Sequence, residues 1–286
     1  MGNQWNTLCD ILQQKGIALP PTTWQEFQQQ VIKMTEQKEN GRVSIAGAAM
    51  GGSSNIPRAF DVVSALMLQN GTVMADATGE VLFDMVPAGA RSETLGPGEE
   101  ALRFYTDFAI PTKQTYTWHS AMPNALEAFT AGNVGLFLGY AYMLPFIRAQ
   151  APKLNLAIAP LPQLSLAGPV TNYANYWVEG VSQKSPVAIW AWDFLLFAAS
   201  KDHVGSYLAS VKKPPALRAL LPQVSNDPDL RVQLQQVLTA KTWYHGRNAA
   251  SAERVFNDMI DQVVAGNATP VEALRNGAAR VQESYR

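Results

Sequence analysis

The sequence predicts an α/β fold, helix-rich with a small mixed sheet. Three observations carry this reading. Two capping boxes, Thr23-Trp24-Gln25-Glu26 and Thr269-Pro270-Val271-Glu272, open helices near the two ends of the chain. Short apolar runs, Val134-Gly135-Leu136-Phe137-Leu138 and the stretch 154–159, have the length of buried strands. These segments interleave, about ten helices with four or five strands, and no internal repeat or low-complexity run interrupts them.

Taken in order, residues 1–20 read as a short helical piece closed at Gly16, with a turn at Pro20-Pro21. From Thr23 a helix is expected to about Gln37, with Trp24, Phe27, Val31 and Met34 on one face. Val43 to Ala46 is a strand, and Gly47 to Asn55 a loop rich in glycine and serine. Arg58 to Gln69 is helical, with Phe60, Val63, Leu66 and Met67 inward, stopped at Asn70-Gly71. After a turn-rich stretch, Pro97 opens a helix to about Phe108. Further helices span about 124–131 and 141–150, and Tyr173 to Val181 alternates as a strand. Ser185-Pro186 opens a helix to about Ala199 that is apolar on nearly every side and must be buried on most of its surface. Short helices follow near 202–210, 214–221 and 228–238. An amphipathic helix over 249–265 puts Val255, Met259 and Val263 inward, and the last helix runs from Thr269 to about Ser284.

Composition narrows the function. The chain has 286 residues, a soft prior for about two domains. With 22 Lys+Arg against 23 Asp+Glu its net charge is −1, which argues against a grip on nucleic acid or an anionic membrane. Charged residues are 16% and apolar ones 47%, enough for a core. The lone Cys9 excludes an internal disulfide and a cysteine-rich metal cage. His119, His203 and His245 lie far apart with no metal-ligand spacing, so no metal or cofactor is expected. The first twenty residues lack the pattern of a signal peptide, and no apolar run is long enough to span a membrane.

The loop Gly47-Ala48-Ala49-Met50-Gly51-Gly52 matches neither a phosphate loop nor a dinucleotide fingerprint. It is either a flexible connection or the lining of a ligand cleft at a strand's C-terminal end. What remains is aromatic: Trp118-His119, Tyr140 with Tyr142, Tyr173 with Tyr176-Trp177, and Trp243-Tyr244 lie in loops or at element ends. Such residues fill cores or line clefts. Tyr and Trp offer a flat face for stacking and a polar edge for hydrogen bonding, which matches a sugar ring. Asn55, Arg58 and Arg247 would then read hydroxyls, or lie solvated on the surface.

Five segments in fixed order resemble the extracellular solute-binding proteins of ATP-driven importers, the group that includes maltose-binding protein. They are Pro20-Pro21-Thr22-Thr23-Trp24-Gln25-Glu26-Phe27; the stretch from Ala128 to Leu136; Leu156 to Pro162; Ser185 to Ser200; and Gly266 to Leu274. The resemblance covers nearly the whole chain and implies a lobe of the type II periplasmic-binding-protein fold. It implies that 1–170 and 227–286 form the C-terminal lobe. The helices of 179–222 belong to the N-terminal lobe, and hinge crossings lie near 171–181 and 222–228. On this resemblance most of the N-terminal lobe and its leader are expected to be missing, the chain being a fragment. The missing lobe would be the natural cover of the apolar helix.

The function implied is capture of a carbohydrate or similar polar small molecule between two lobes, without catalysis. The ligand is then delivered to the permease subunits of the importer. The protein is expected to be an extracellular, periplasmic or lipoprotein monomer with no direct membrane insertion. Ligand-binding residues on this reading are Asn55, Arg58, Trp118, His119, Tyr140, Tyr142, Tyr176, Trp243, Tyr244 and Arg247. Alanine at Tyr142 or Trp243 is expected to weaken binding and leave the fold intact. The rivals are a carbohydrate-active hydrolase, which needs two facing carboxylates, and a protein-interaction fragment docking through its apolar helix.

Overall fold

The computed structural model describes residues 3–87, 95–176, 178–211, 213–224 and 228–285. Strand β1 (Asn3–Leu8) runs directly into helix α1 (Cys9–Gln14). This corrects the helical reading of the first residues. The run from Asn3 to Leu8 has no apolar alternation; it is extended because it pairs on both sides, Trp5 standing opposite Leu138 on one strand and Ala159 on another. Pairing context outweighs local preference here.

Helix α2 (Trp24–Met34) begins at its box as expected: Glu26 N–H donates to Thr23 Oγ1 at 3.2 Å, and Thr23 N–H donates back to Glu26 Oε2 at 3.3 Å. A short strand β2 (Glu36–Gln37) ends it early and pairs with β3 (Val43–Ala48). Helix α3 (Ala59–Gln69) follows the loop, and α4 (Pro97–Thr106) starts with Pro97 at its first turn. Next come α5 (Ala125–Thr130), β4 (Val134–Tyr140), α6 (Leu144–Gln150) and β5 (Leu156–Pro160). Strand β6 (Asn172–Tyr173) is far shorter than the expected 173–181 run, and Trp177 lies outside the described residues. Helices α7 (Ala188–Ala198), α8 (Lys201–Val211), α9 (Leu221–Val224) and α10 (Pro228–Val237) lead to β7 (Ala240–Lys241). Helices α11 (Ala249–Val264) and α12 (Pro270–Glu283) close the chain.

The main sheet has the order β2-β3-β4-β1-β5. Strands β3 and β4 are parallel and the other neighbours antiparallel, so the sheet is mixed. Strand β4 is buried at every residue, the signature of a strand covered on both faces. Two aromatic groups fill the core. Trp24, Phe27, Phe104 and Phe108 pack edge-on or tilted beneath α2 and α4. Phe60, Phe83, Trp243 and Phe256 join α3 to α11. Between them Gly51 adopts a φ of 108° and lies so close to the chain that a Cβ would meet Ala109 N at 2.6 Å. Only glycine permits that turn at that distance.

Helix α7 departs from its expected burial. Ile189, Trp190, Phe194 and Leu196 are 66–82% exposed, and the helix has no buried residue. Its half-buried positions, Ala188, Ala191, Leu195 and Ala198, lie along one face, and the remaining apolar surface is an exposed patch that calls for a cover.

Candidate ligand-binding site

Strands β3 and β4 run parallel, so their C-terminal ends lie at one edge of the sheet. There β3 passes into the loop leading to Arg58, and β4 ends at Tyr140. The short pair β6-β7 is also parallel, Asn172 opposite Ala240 and Tyr173 opposite Lys241. The segments leaving β6 and β7 converge with the N-termini of α3 and α11 around an open pocket of about 640 Å³. This is the position at which open α/β sheets bind ligands. Its walls include Tyr176, Trp243, Tyr244 and His245, with Arg58 and Glu253 as charged members.

Arg58 is tied to a buried polar network behind the lining. Asp61, on the first turn of α3, has a fully buried carboxylate. Its Oδ2 accepts from Arg58 Nε at 2.6 Å and from Tyr140 OH at 2.7 Å. Its Oδ1 is buried without a partner. A buried carboxylate oxygen without a partner is costly, a cost this fold bears beside the pocket. Arg58 Nη1 also lies 3.5 Å from Glu253 Oε2. Among the described residues Arg58 is the one non-glycine with positive φ, at 64°. Strained backbone of this sort persists where the surroundings impose it and clusters at functional sites. Burial, the largest influence on the Arg58 pKa, lowers it, but the hydrogen bond and charge of Asp61, with Glu253, leave it raised. For Tyr140, burial and then the neighbouring Asp61 charge push the phenol far above its ordinary value, so it is a permanent donor.

The second wall is ordered the same way. Trp243 Nε1 donates to Ser64 Oγ at 3.2 Å, and Tyr173 OH lies 3.3 Å from His245 Nε2. The His245 ring stands edge-on to Phe60 and Trp243, 5.0 and 4.6 Å between centroids. Burial, the leading cause, lowers the His245 pKa from 6.5. The unfolded chain therefore takes up this proton first as pH falls. The contribution of His245 to stability is complete above 6.5 and is lost as pH drops through the folded value. The difference in denaturation midpoint between wild type and His245→Gln should shrink as pH falls below 6.5; a difference constant with pH would contradict a buried neutral imidazole.

Of the residues expected at the site, Arg58, Tyr176, Trp243 and Tyr244 line this pocket. Tyr140 lies beneath it through Asp61, and Tyr142 is stacked on Tyr140 with centroids 5.9 Å apart. The other four are elsewhere. Trp118 is fully buried, so its faces are not available for stacking; its Nε1 donates to Asn55 Oδ1 at 2.9 Å. Asn55 Nδ2 in turn donates to His119 O and Met122 O at 3.1 and 2.9 Å. Asn55, Trp118 and His119 thus staple the loop after β3 to the segment before α5. Arg247 is exposed and outside the lining; its backbone N–H donates to Ser284 O.

The sequence reading missed Asp61, Glu253 and the structural part played by His245. Asp61 left one signal, a lone carboxylate in the apolar run Ala59-Phe60-Asp61-Val62-Val63, three residues after Arg58. Glu253 left none. Among the described residues no group of histidine, cysteine and carboxylates is placed to hold a metal, and no helix is long and apolar enough to cross a membrane.

No curated protein matches the chain. Several solved structures share its fold. A solute-binding protein of an ABC transporter from Thermotoga lettingae, bound to α-D-tagatose, superposes with a TM-score of 0.73 at 18% identity, covering 100% of this chain and 70% of that one. Maltose-bound MalE3 of T. maritima gives 0.71 at 18%, covering 99% and 70%. UgpB of Mycobacterium tuberculosis, in complex with glycerophosphocholine, gives 0.69 at 16%, covering 99% and 68%. The helix-rich periplasmic-binding-protein-like architecture is therefore the one expected. The model of the bacterial extracellular solute-binding proteins, a family that binds rather than transforms its ligands, matches residues 4–232. With four-fifths of its length so matched, the chain belongs to the bacterial extracellular solute-binding protein family.

Proposed function

We propose that this chain captures a carbohydrate or similar polar small molecule at the pocket beside Arg58 and passes it to the permease of an ATP-driven importer. The observation that carries the reading is the pairing of Arg58, fixed from behind by the buried Asp61–Tyr140 contact, with an aromatic wall at the strand ends. Tyr176 and Tyr244, 58% and 62% exposed, offer faces to C–H surfaces, while their hydroxyls and the Arg58 guanidinium meet ligand oxygens. Solved relatives hold tagatose, mannobiose and maltose, which supports a carbohydrate. The protein works as a monomer in the periplasm or as a cell-surface lipoprotein. Tyr244→Ala tests the wall. Because this side chain is mostly exposed, melting should change little while affinity for the best sugar of a broad panel falls about tenfold, near 1.4 kcal/mol. Unchanged affinity would remove Tyr244 from the site.

The same reading divides the chain. Residues 1–170 and 227–286 form one lobe, the helices of 179–222 belong to a second, and the crossings lie near 171–181 and 222–228. Its support is the bare surface of α7, together with the greater length of the solved relatives, of which this chain spans about 70%. The cover of α7 is then a further lobe of the same fold. The 286-residue chain should bind an apolar dye at α7. The double variant Trp190→Glu, Phe194→Glu should lose most of that signal. Equal dye binding by both chains would mean that α7 is already covered.

A further inference from the structure

Resting on the carbohydrate reading above, we propose that the pocket takes uncharged polyhydroxyl ligands and rejects their anionic counterparts, with Glu253 setting this selectivity. Among the described residues Arg58 is the only formally positive one in the lining, and it is already matched by two carboxylates. Asp61 takes its Nε at 2.6 Å from below, and Glu253 approaches Nη1 at 3.5 Å from the pocket side. The local sum is one positive charge against two negative ones. A carboxylate or phosphate is best held by an arginine whose fork is free to bind it at two points. Here the Nε edge of that fork is bonded to Asp61 and Nη1 is in ion-pair contact with Glu253, so an anion meets a guanidinium whose charge is already countered.

Nor can Arg58 easily turn to meet an anion. It sits in the left-handed region at the start of α3, anchored three residues on by Asp61, whose carboxylate also holds Tyr140. His245 adds no countercharge at neutral pH, because burial holds its pKa below the usual histidine value. An incoming anion must therefore share Arg58 with Glu253, a like-charge contact in a partly desolvated pocket. A neutral hydroxyl has no such conflict: it accepts from the remaining guanidinium N–H and donates to Glu253, which makes the pair a hydroxyl reader.

The test measures dissociation constants for the 286-residue chain with maltose, mannobiose and tagatose. Maltobionate, mannobionate and tagatose 6-phosphate serve as the respective anions. Each titration is followed at the Trp243 indole N–H by NMR. At least one neutral sugar should bind, its anion binding about tenfold more weakly or worse. Glu253→Gln, of nearly the same shape, should narrow that neutral-to-anion ratio. An anion that binds wild type as well as its neutral partner would overturn the selectivity and leave the carbohydrate reading standing. So would a ratio that Glu253→Gln does not change. Failure of every neutral sugar to bind would overturn both.

Discussion

Asp61→Ala is expected to destabilise the fold by about 3 kcal/mol, the low end for removing one partner of a buried charge pair. The low end applies because the Arg58 side chain keeps 30% of its surface in solvent, so part of the stranded charge can be rehydrated. Tyr140 has no such escape. Its buried hydroxyl donates to Asp61 Oδ2, so the variant takes that acceptor away at the end of β4. At about 2 °C per kcal/mol for a chain of this size, the melting temperature should fall by roughly 6 °C. Ligand affinity should fall with it, because Arg58 loses the contact that keeps it in its strained conformation. Asp61→Asn retains an acceptor and should fall between the two. Differential scanning calorimetry decides: a variant melting within a degree of wild type would mean that the network contributes nothing.

Trp243→Ala should be as severe, about 3–5 kcal/mol, and for a different reason. Although Trp243 reaches the pocket wall, it is only 9% exposed. Its ring packs against Phe60, Phe83 and Phe256 at 6.0, 6.4 and 5.7 Å, and its Nε1 satisfies Ser64. Truncation opens a cavity where α3 meets α11 and takes the Nε1 donor away from buried Ser64. Of the two alanine variants, Tyr142→Ala is therefore the one expected to spare the fold, its side chain being 48% exposed. Chemical denaturation of Trp243→Ala beside Tyr142→Ala separates the two. Equal stability would contradict the placement of Trp243 in the core.

The contrast shows what the sequence could disclose. Signals confined to one turn of chain were legible: the boxes at Thr23 and Thr269 and the proline opening α4 all lie where their chemistry places them. The central strand β4 was legible because its apolar run is continuous. Strand β1 was not, since its extended form comes from partners more than a hundred residues away. The site divided along the same line. Tyr176, Tyr244, Trp118 and Trp243 look alike as aromatics at element ends, yet the first two are exposed and the last two buried. Only packing distinguishes them. Asp61 carries the buried network because α3 brings it under Arg58 and the sheet brings Tyr140 to it from 79 positions along the chain, a meeting no spacing rule foretells.

The central claim is that ligand binds at the strand-end pocket. Its most direct test is a titration of the isotope-labelled 286-residue chain with neutral oligosaccharides, mapped by amide and indole NMR shifts. The account predicts saturable shifts at Tyr176, Trp243, Tyr244 and Glu253, with the indole of Trp118 unmoved. Shifts centred on Trp118 and Asn55, or no saturable shift with any sugar, would contradict it.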